Sequence, residues 1–165
     1  MTRYLNGEIL YSYTQLDQAI VMDSNNYNPM GGTPLYDETA VILATVLAKT
    51  QEFENSGVAC RSVTLIVTDG ADEHSRKQTP AKIKQVVLDM LKTENHIIAG
   101  MGIDDGTTKF RQIFEEMGIP AEWILTPGGS ESEVRRAFQV FSQSAVRASQ
   151  GGASFSQTAM GGFGA

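Results

Sequence analysis

Two oxygen-bearing loops carry most of the chemistry this chain can offer: Gly31-Gly32-Thr33-Pro34-Leu35-Tyr36-Asp37 and Thr68-Asp69-Gly70. The second closes a β-branched run and the first opens a helix, so in an alternating α/β chain both fall at the carboxyl edge of the sheet, where such folds bind ligands. Asp69, with Asp104 or Asp105 at a neighbouring strand end, has the residue types for metal-assisted hydrolysis. No nucleophile-base pair accompanies them. Cys60 has only Arg61 as a basic neighbour and reads as an inert, packed thiol. His74 and His96 lack metal-ligand spacing, and no cysteine pair supports a zinc site. Pro127-Gly128-Gly129-Ser130 opens a helix whose N-terminus suits an anion, but it lacks the Gly-Lys-Ser/Thr of a nucleotide loop.

Each of these residues also has a purely structural use. Thr33 before Pro34 has the form of a helix N-cap, typically worth about 1 kcal/mol. Asp69-Gly70 is a common turn pair, Asp72-Glu73-His74 reads as a solvated acidic loop, and Asp104-Asp105-Gly106 as a turn and cap.

The elements that must position these loops follow from pattern. The 165 residues are 41% apolar and 19% charged, which suits one globular domain and excludes a disordered chain. Nineteen acidic against thirteen basic side chains give a net charge of −6, which opposes capture of nucleic acid or of anionic lipid but not of a cation. One cysteine excludes an intramolecular disulfide, and no apolar run approaches the roughly 18 residues of a membrane span, so a cytoplasmic setting is expected.

Asn6-Gly7 between Arg3-Tyr4-Leu5 and Ile9-Leu10-Tyr11 predicts a hairpin with a type I′ turn. After the polar stretch Asp23 to Asn28 and Met30, a helix is expected from Thr33-Pro34 to about Glu54, with Leu35, Ile42, Val46 and Phe53 on its apolar face. Val63 to Val67 suits a parallel strand covered on both faces. Thr79-Pro80 caps a helix carrying Ile83, Val86, Val87, Met90 and Leu91, and His96 to Ile103 is the next strand. A helix with Phe110, Ile113, Phe114 and Met117 ends at Gly118, Glu122 to Leu125 is a short strand, and Ser130 with Glu133 starts a last helix reaching about Ala148. The expected fold class is therefore α/β: a doubly wound, mostly parallel sheet with helices on both faces. The domain spans 1–150, and 151–165, rich in Gly, Ser and Ala, reads as a flexible tail carrying Phe155 and Phe163.

Gly31-Gly32-Thr33-Pro34-Leu35, followed by a β-branched strand ending in Thr68-Asp69-Gly70, resembles the von Willebrand factor A domain over about residues 3 to 148. That resemblance implies a Rossmann-like sheet and a metal-ion-dependent adhesion site, in which Mg²⁺ is completed by an acidic side chain of a protein partner. It also implies metal-ligand roles for Thr33, by its hydroxyl, and Asp69, by its carboxylate. Mg²⁺ requires six oxygens near 2.0–2.1 Å and keeps several waters. The family's first metal loop, Asp-x-Ser-x-Ser after a central strand, has no counterpart: Asp23-Ser24-Asn25-Asn26-Tyr27 carries Asn and Tyr where serines belong. The chain is thus expected to begin at the family's second strand, and to bind Mg²⁺ only if the missing loop is supplied.

These readings point to a non-catalytic protein-interaction module. The alternatives are a metal-assisted hydrolase using Asp69 and Asp104 or Asp105, and a structural subunit of a larger assembly. The absent first central strand is expected to be replaced by a strand from another polypeptide or a second copy, or by the amino-terminal hairpin shifting against Ser62 to Thr68.

Overall fold

The computed structural model describes residues 1–27, 31–151 and 155–163; 28–30, with Asn28 and Met30 of the polar stretch, 152–154 and 164–165 lie outside the described residues. The chain is mixed α/β. In order it forms β1 (Thr2–Arg3), β2 (Ile9–Tyr11), α1 (Leu35–Asn55), β3 (Ser62–Thr68), α2 (Pro80–Lys92), β4 (His96–Gly102), α3 (Phe110–Glu116), β5 (Ile124–Leu125) and α4 (Glu131–Gln150). β3, β4 and β5 make a parallel sheet in that spatial order, with Ser62 opposite His96 and Gly100 opposite Ile124. α1 packs on β3 and α2, α2 on β4 and α3, and α3 on β4 and β5, so three helices lie side by side in the order of the strands.

β4 is buried at every residue from His96 to Gly102, as an apolar strand between two neighbours requires. Its glycines are a packing device. A Cβ at Gly102 would fall 2.2 Å from Phe110 Cβ, and one at Gly100 would fall 2.7 Å from Phe114 Cγ, so α3 lies directly against bare backbone. Thr79 caps α2 as expected, its hydroxyl accepting from Lys82 N–H, and Ser130 does the same for α4 with Glu133 N–H.

Two local expectations are corrected. β1 and β2 do form an antiparallel hairpin, but only Gly7 has positive φ (+93°); Gly7 N–H donates to the Tyr4 carbonyl and Tyr4 N–H to that of Glu8. This is the three-residue loop closed by a glycine in the left-handed region, not the type I′ turn. The Asn6 side chain accepts from Glu8 N–H, a local bond that holds the wider loop. On α1 the inner face is Leu35, Thr39, Leu43, Val46 and Thr50, while Ile42 is only half-buried and Phe53 is exposed. Two threonines on the inner face disguise the periodicity.

The carboxyl end departs most from expectation. Residues 155–163, read from composition as part of a flexible tail, are docked. Phe155, Ser156 and Gln157 are buried, and Phe163 meets Trp123 and Phe141 edge to face at centroid distances of 5.2 and 6.5 Å. β5 is too short to reach Ile98 on β4, and the Gln157 amide takes the place of a strand there: Ile98 N–H donates to Oε1 at 2.7 Å, and Nε2 donates to the Ile98 carbonyl at 2.8 Å. Trp123 Nε1 donates to the Gln157 carbonyl and Phe163 N–H to that of Glu122. Buried main-chain groups need partners, and a glutamine amide offers a donor and an acceptor in one plane.

His96, 2% exposed with Nδ1 2.7 Å from Ser62 Oγ, has a pKa lowered by burial, partly opposed by Glu54. Its folded pKa lies below the ordinary 6.5, so the unfolded chain takes the proton first: this contribution is complete above that value and is lost as pH falls from there. The urea midpoint is expected to be lower at about pH 5 than at about pH 7.5, and His96→Gln to flatten that slope. Among the described residues no helix is long and apolar enough to cross a membrane.

Candidate functional site

The two oxygen-bearing loops meet at the carboxyl edge of the sheet. Thr33 Oγ1 lies 3.7 Å from where a Cβ on Gly70 would stand, which puts the Thr33 hydroxyl beside the Asp69-Gly70 turn. Thr68 Oγ1 donates to the Gly70 carbonyl at 2.8 Å and accepts from Gly70 N–H at 3.3 Å, closing that turn, with Asp69 exposed at its tip. Ile103 N–H donates to the Thr68 carbonyl and Asp104 N–H to that of Pro127, so the loops after all three parallel strands are tied into one rim.

Thr33 does not cap α1. Pro34 stands at the N-cap position and no side chain of the segment caps the helix, so the free N–H groups of its first turn find partners elsewhere. Tyr36 N–H donates to Asp72 Oδ1 at 3.2 Å and Asp37 N–H to Ser75 Oγ at 2.9 Å, while the Ser75 hydroxyl donates to Asp72 Oδ1 at 2.6 Å. Asp37 in return accepts from the N–H groups of Arg76, Lys77 and Gln78. Those bonds, Arg76 N–H foremost, hold the Asp37 carboxyl below the usual carboxylate range. Thr33 N–H donates to His74 Nδ1 at 3.3 Å, and Gly32 lies so close under that ring that a Cβ would fall 2.2 Å from Nδ1.

Asp72-Glu73-His74 is therefore not simply a solvated loop. Asp72 and His74 clamp the loop after β3 onto the start of α1, and this clamp is what brings Thr33 to Gly70. Sequence reasoning placed Asp37 in the first loop without this role and passed over Ser75. An acid in the first turn of a helix and an Asp-x-x-Ser spacing were the available signals, but their partners are some forty residues distant.

The other carboxylates at the rim are turned inward on their own loop. Asp104 Oδ1 accepts from Gly106 N–H at 2.8 Å. Asp105 accepts from the N–H groups of Thr107 and Thr108 and from both threonine hydroxyls. These bonds, the Thr108 hydroxyl first, hold the Asp105 carboxyl well below the usual range. The shallow groove beside Asp104 is lined by Thr108, Lys109, Arg111, Glu115 and Thr126 among others, and Asp69 does not reach it.

Thr33 and Asp69 supply one hydroxyl and one carboxylate, and Asp72 Oδ1, on the same loop as Asp69, is committed to Tyr36 N–H and Ser75. Among the described residues no group of three or more His, Cys, Asp or Glu is arranged to hold a metal ion. Mg²⁺ takes six oxygens and keeps several of them as water, and Thr33 and Asp69 offer it one hydroxyl and one carboxylate. Comparison with protein-family models, with curated proteins and with solved structures finds no match.

Proposed function

We propose that this chain is a non-catalytic protein-interaction domain of the von Willebrand factor A type, with a doubly wound, Rossmann-like architecture, acting in the cytoplasm through the rim that carries Thr33 and Asp69. One observation supports this above the others: a clamp built from Asp37, Asp72, His74 and Ser75 holds the Thr33 main chain, and with it the Thr33 hydroxyl lies beside the Asp69 turn. An exposed carboxylate beside a positioned hydroxyl suits recognition of a partner. Mg²⁺ joins this rim only when an Asp-x-Ser-x-Ser loop from elsewhere adds its oxygens, and an acidic side chain of the protein partner then completes the coordination.

Calorimetric titration of the chain with MgCl₂ should show weak binding or none. A tight, stoichiometric site abolished by Asp69→Ala would overturn that expectation. The interaction reading is tested by turnover of generic phosphoester and ester substrates with Mg²⁺ present. No Asp69-dependent hydrolysis is expected, and its appearance would favour the hydrolase.

A further inference from the structure

We propose that Arg76, Lys77, Lys82 and Lys84 form a docking surface for a short acidic segment of a protein partner. The argument begins with where the charges fall. Between Glu73 and Asp89 the chain carries these four basic side chains and no acidic one, whereas the remainder carries nine basic against all nineteen acidic side chains. The stretch is thus positive within an otherwise acidic chain, and charge of one sign gathered on one surface selects a partner of the opposite sign. All four residues are exposed, and among the described residues none of them enters an ion pair.

Hydrogen bonds assemble the cluster. Lys82 Nζ, on the first turn of α2, donates to the Lys77 carbonyl at 2.8 Å, so its charge is held against the loop that carries Arg76 and Lys77 despite their mutual repulsion. The Asp37 carboxylate beside that loop is spent on the main-chain N–H groups of Arg76, Lys77 and Gln78, and it forms no ion pair with either side chain. Lys84 extends the surface toward the end of α3, its Cγ 3.1 Å from where a Cβ on Gly118 would stand. The cluster begins where the clamp of the rim ends. His74, which accepts from Thr33 N–H, and Ser75, which accepts from Asp37 N–H, immediately precede Arg76.

The occupant follows from the sign and the short reach of this surface. Asp69, Asp72 and Glu73 precede it on the loop, and Asp89 follows it on α2. A nucleic-acid duplex, with a phosphate charge about every 1.7 Å of its axis, would run from the cluster onto those acids. The net charge of −6 opposes such a polyanion as a whole. An acidic stretch of a peptide with about as many carboxylates as there are bases matches the cluster and stops there. At physiological salt the attraction fades beyond roughly 8 Å, so it selects among segments already brought to the rim. The inference rests on the reading of that rim as an interaction surface and adds the chemistry of the partner, but its own contacts use neither Thr33 nor Asp69.

Fluorescence anisotropy of a labelled hexaglutamate peptide with the full chain, at about 50 mM salt and in EDTA, tests it. Saturable binding is expected, lost at about 0.5 M salt and absent for the hexaglutamine peptide. Arg76→Glu with Lys82→Glu should weaken it about tenfold or more. Lys92→Glu with Arg136→Glu makes the same change of net charge at exposed residues outside the cluster, and should weaken it less than about twofold. Circular dichroism checks the fold of both variants, and Lys77→Gln with Lys84→Gln, which deletes charge without reversing it, should weaken binding in the same direction. EDTA keeps Mg²⁺ out of the measurement, so failure here leaves the MgCl₂ and hydrolysis tests of the rim to be decided separately. No binding at low salt, equal loss in the two charge-reversed variants, or tighter binding of a single-stranded oligothymidylate of equal charge through the same residues would overturn the proposal.

Discussion

Cutting the chain after Gln150 will lower its unfolding midpoint by roughly 10–20 °C, because a loss of about 5 kcal/mol at this size moves the midpoint about 2–4 °C per kcal/mol. The loss has two sources. Phe155 is 6% exposed, and emptying such a site costs about 3–5 kcal/mol for a phenylalanine. Ile98 N–H and C=O, bonded only to Gln157 on that side, would be left buried and unpaired at about 1–3 kcal/mol each, offset in part by relaxation and by the freed entropy of the removed segment. Gln157→Leu separates the two: it keeps the volume, deletes both bonds, and should account for about half of the effect. Calorimetry on the truncated and substituted chains measures both. A midpoint unmoved by truncation would show that the docked end contributes nothing.

Gly102→Ala should be nearly as damaging. Its Cβ would fall 2.2 Å from Phe110 Cβ and Cγ, atoms fixed to the α3 backbone, so the helix itself must move away from β4. Overpacking of this kind costs typically about 1–3 kcal/mol and occasionally more, and the upper end or beyond is expected here. Gly100→Ala meets the ring of Phe114 at 2.7 Å, and a smaller side chain can relieve that contact. In a double-mutant cycle, Phe114→Leu should therefore recover part of the loss at Gly100→Ala, whereas no trimming of Phe110 beyond its Cβ can rescue Gly102→Ala. Urea midpoints of the single and double variants decide this, and equal rescue at both glycines would refute the distinction.

Much of the architecture was legible because it is locally encoded. Val63 to Val67 and His96 to Gly102 are strands where β-branched and apolar residues run unbroken, and α2 and α4 begin at the Thr79 and Ser130 caps that the sequence displays. α1 was found and its inner face in part: Leu35 and Val46 lie on it, Ile42 and Phe53 do not, and Thr39 and Thr50 occupy positions where periodicity looks for aliphatic side chains. The hairpin was found with the wrong turn, because Asn6-Gly7 serves two loop lengths and the Asn6 side-chain bond to Glu8 N–H goes with the longer.

At the rim, the resemblance of the two loops to a metal-ion-dependent adhesion site nominated Thr33 and Asp69, and their neighbourhood at Gly70 follows from strand ends meeting at one edge of a parallel sheet. Composition and periodicity therefore determined the order and kind of the elements and the two loops that share an edge, since each depends on residues a few positions apart. Tertiary structure alone decided what caps α1 and what completes β4. Asp72, Ser75 and Gln157 act on main-chain groups tens of residues away, through hydrogen bonds that leave no period in the sequence. The need to pair a buried N–H or C=O is universal, but which side chain meets it depends on which segments the packed core brings within bonding distance.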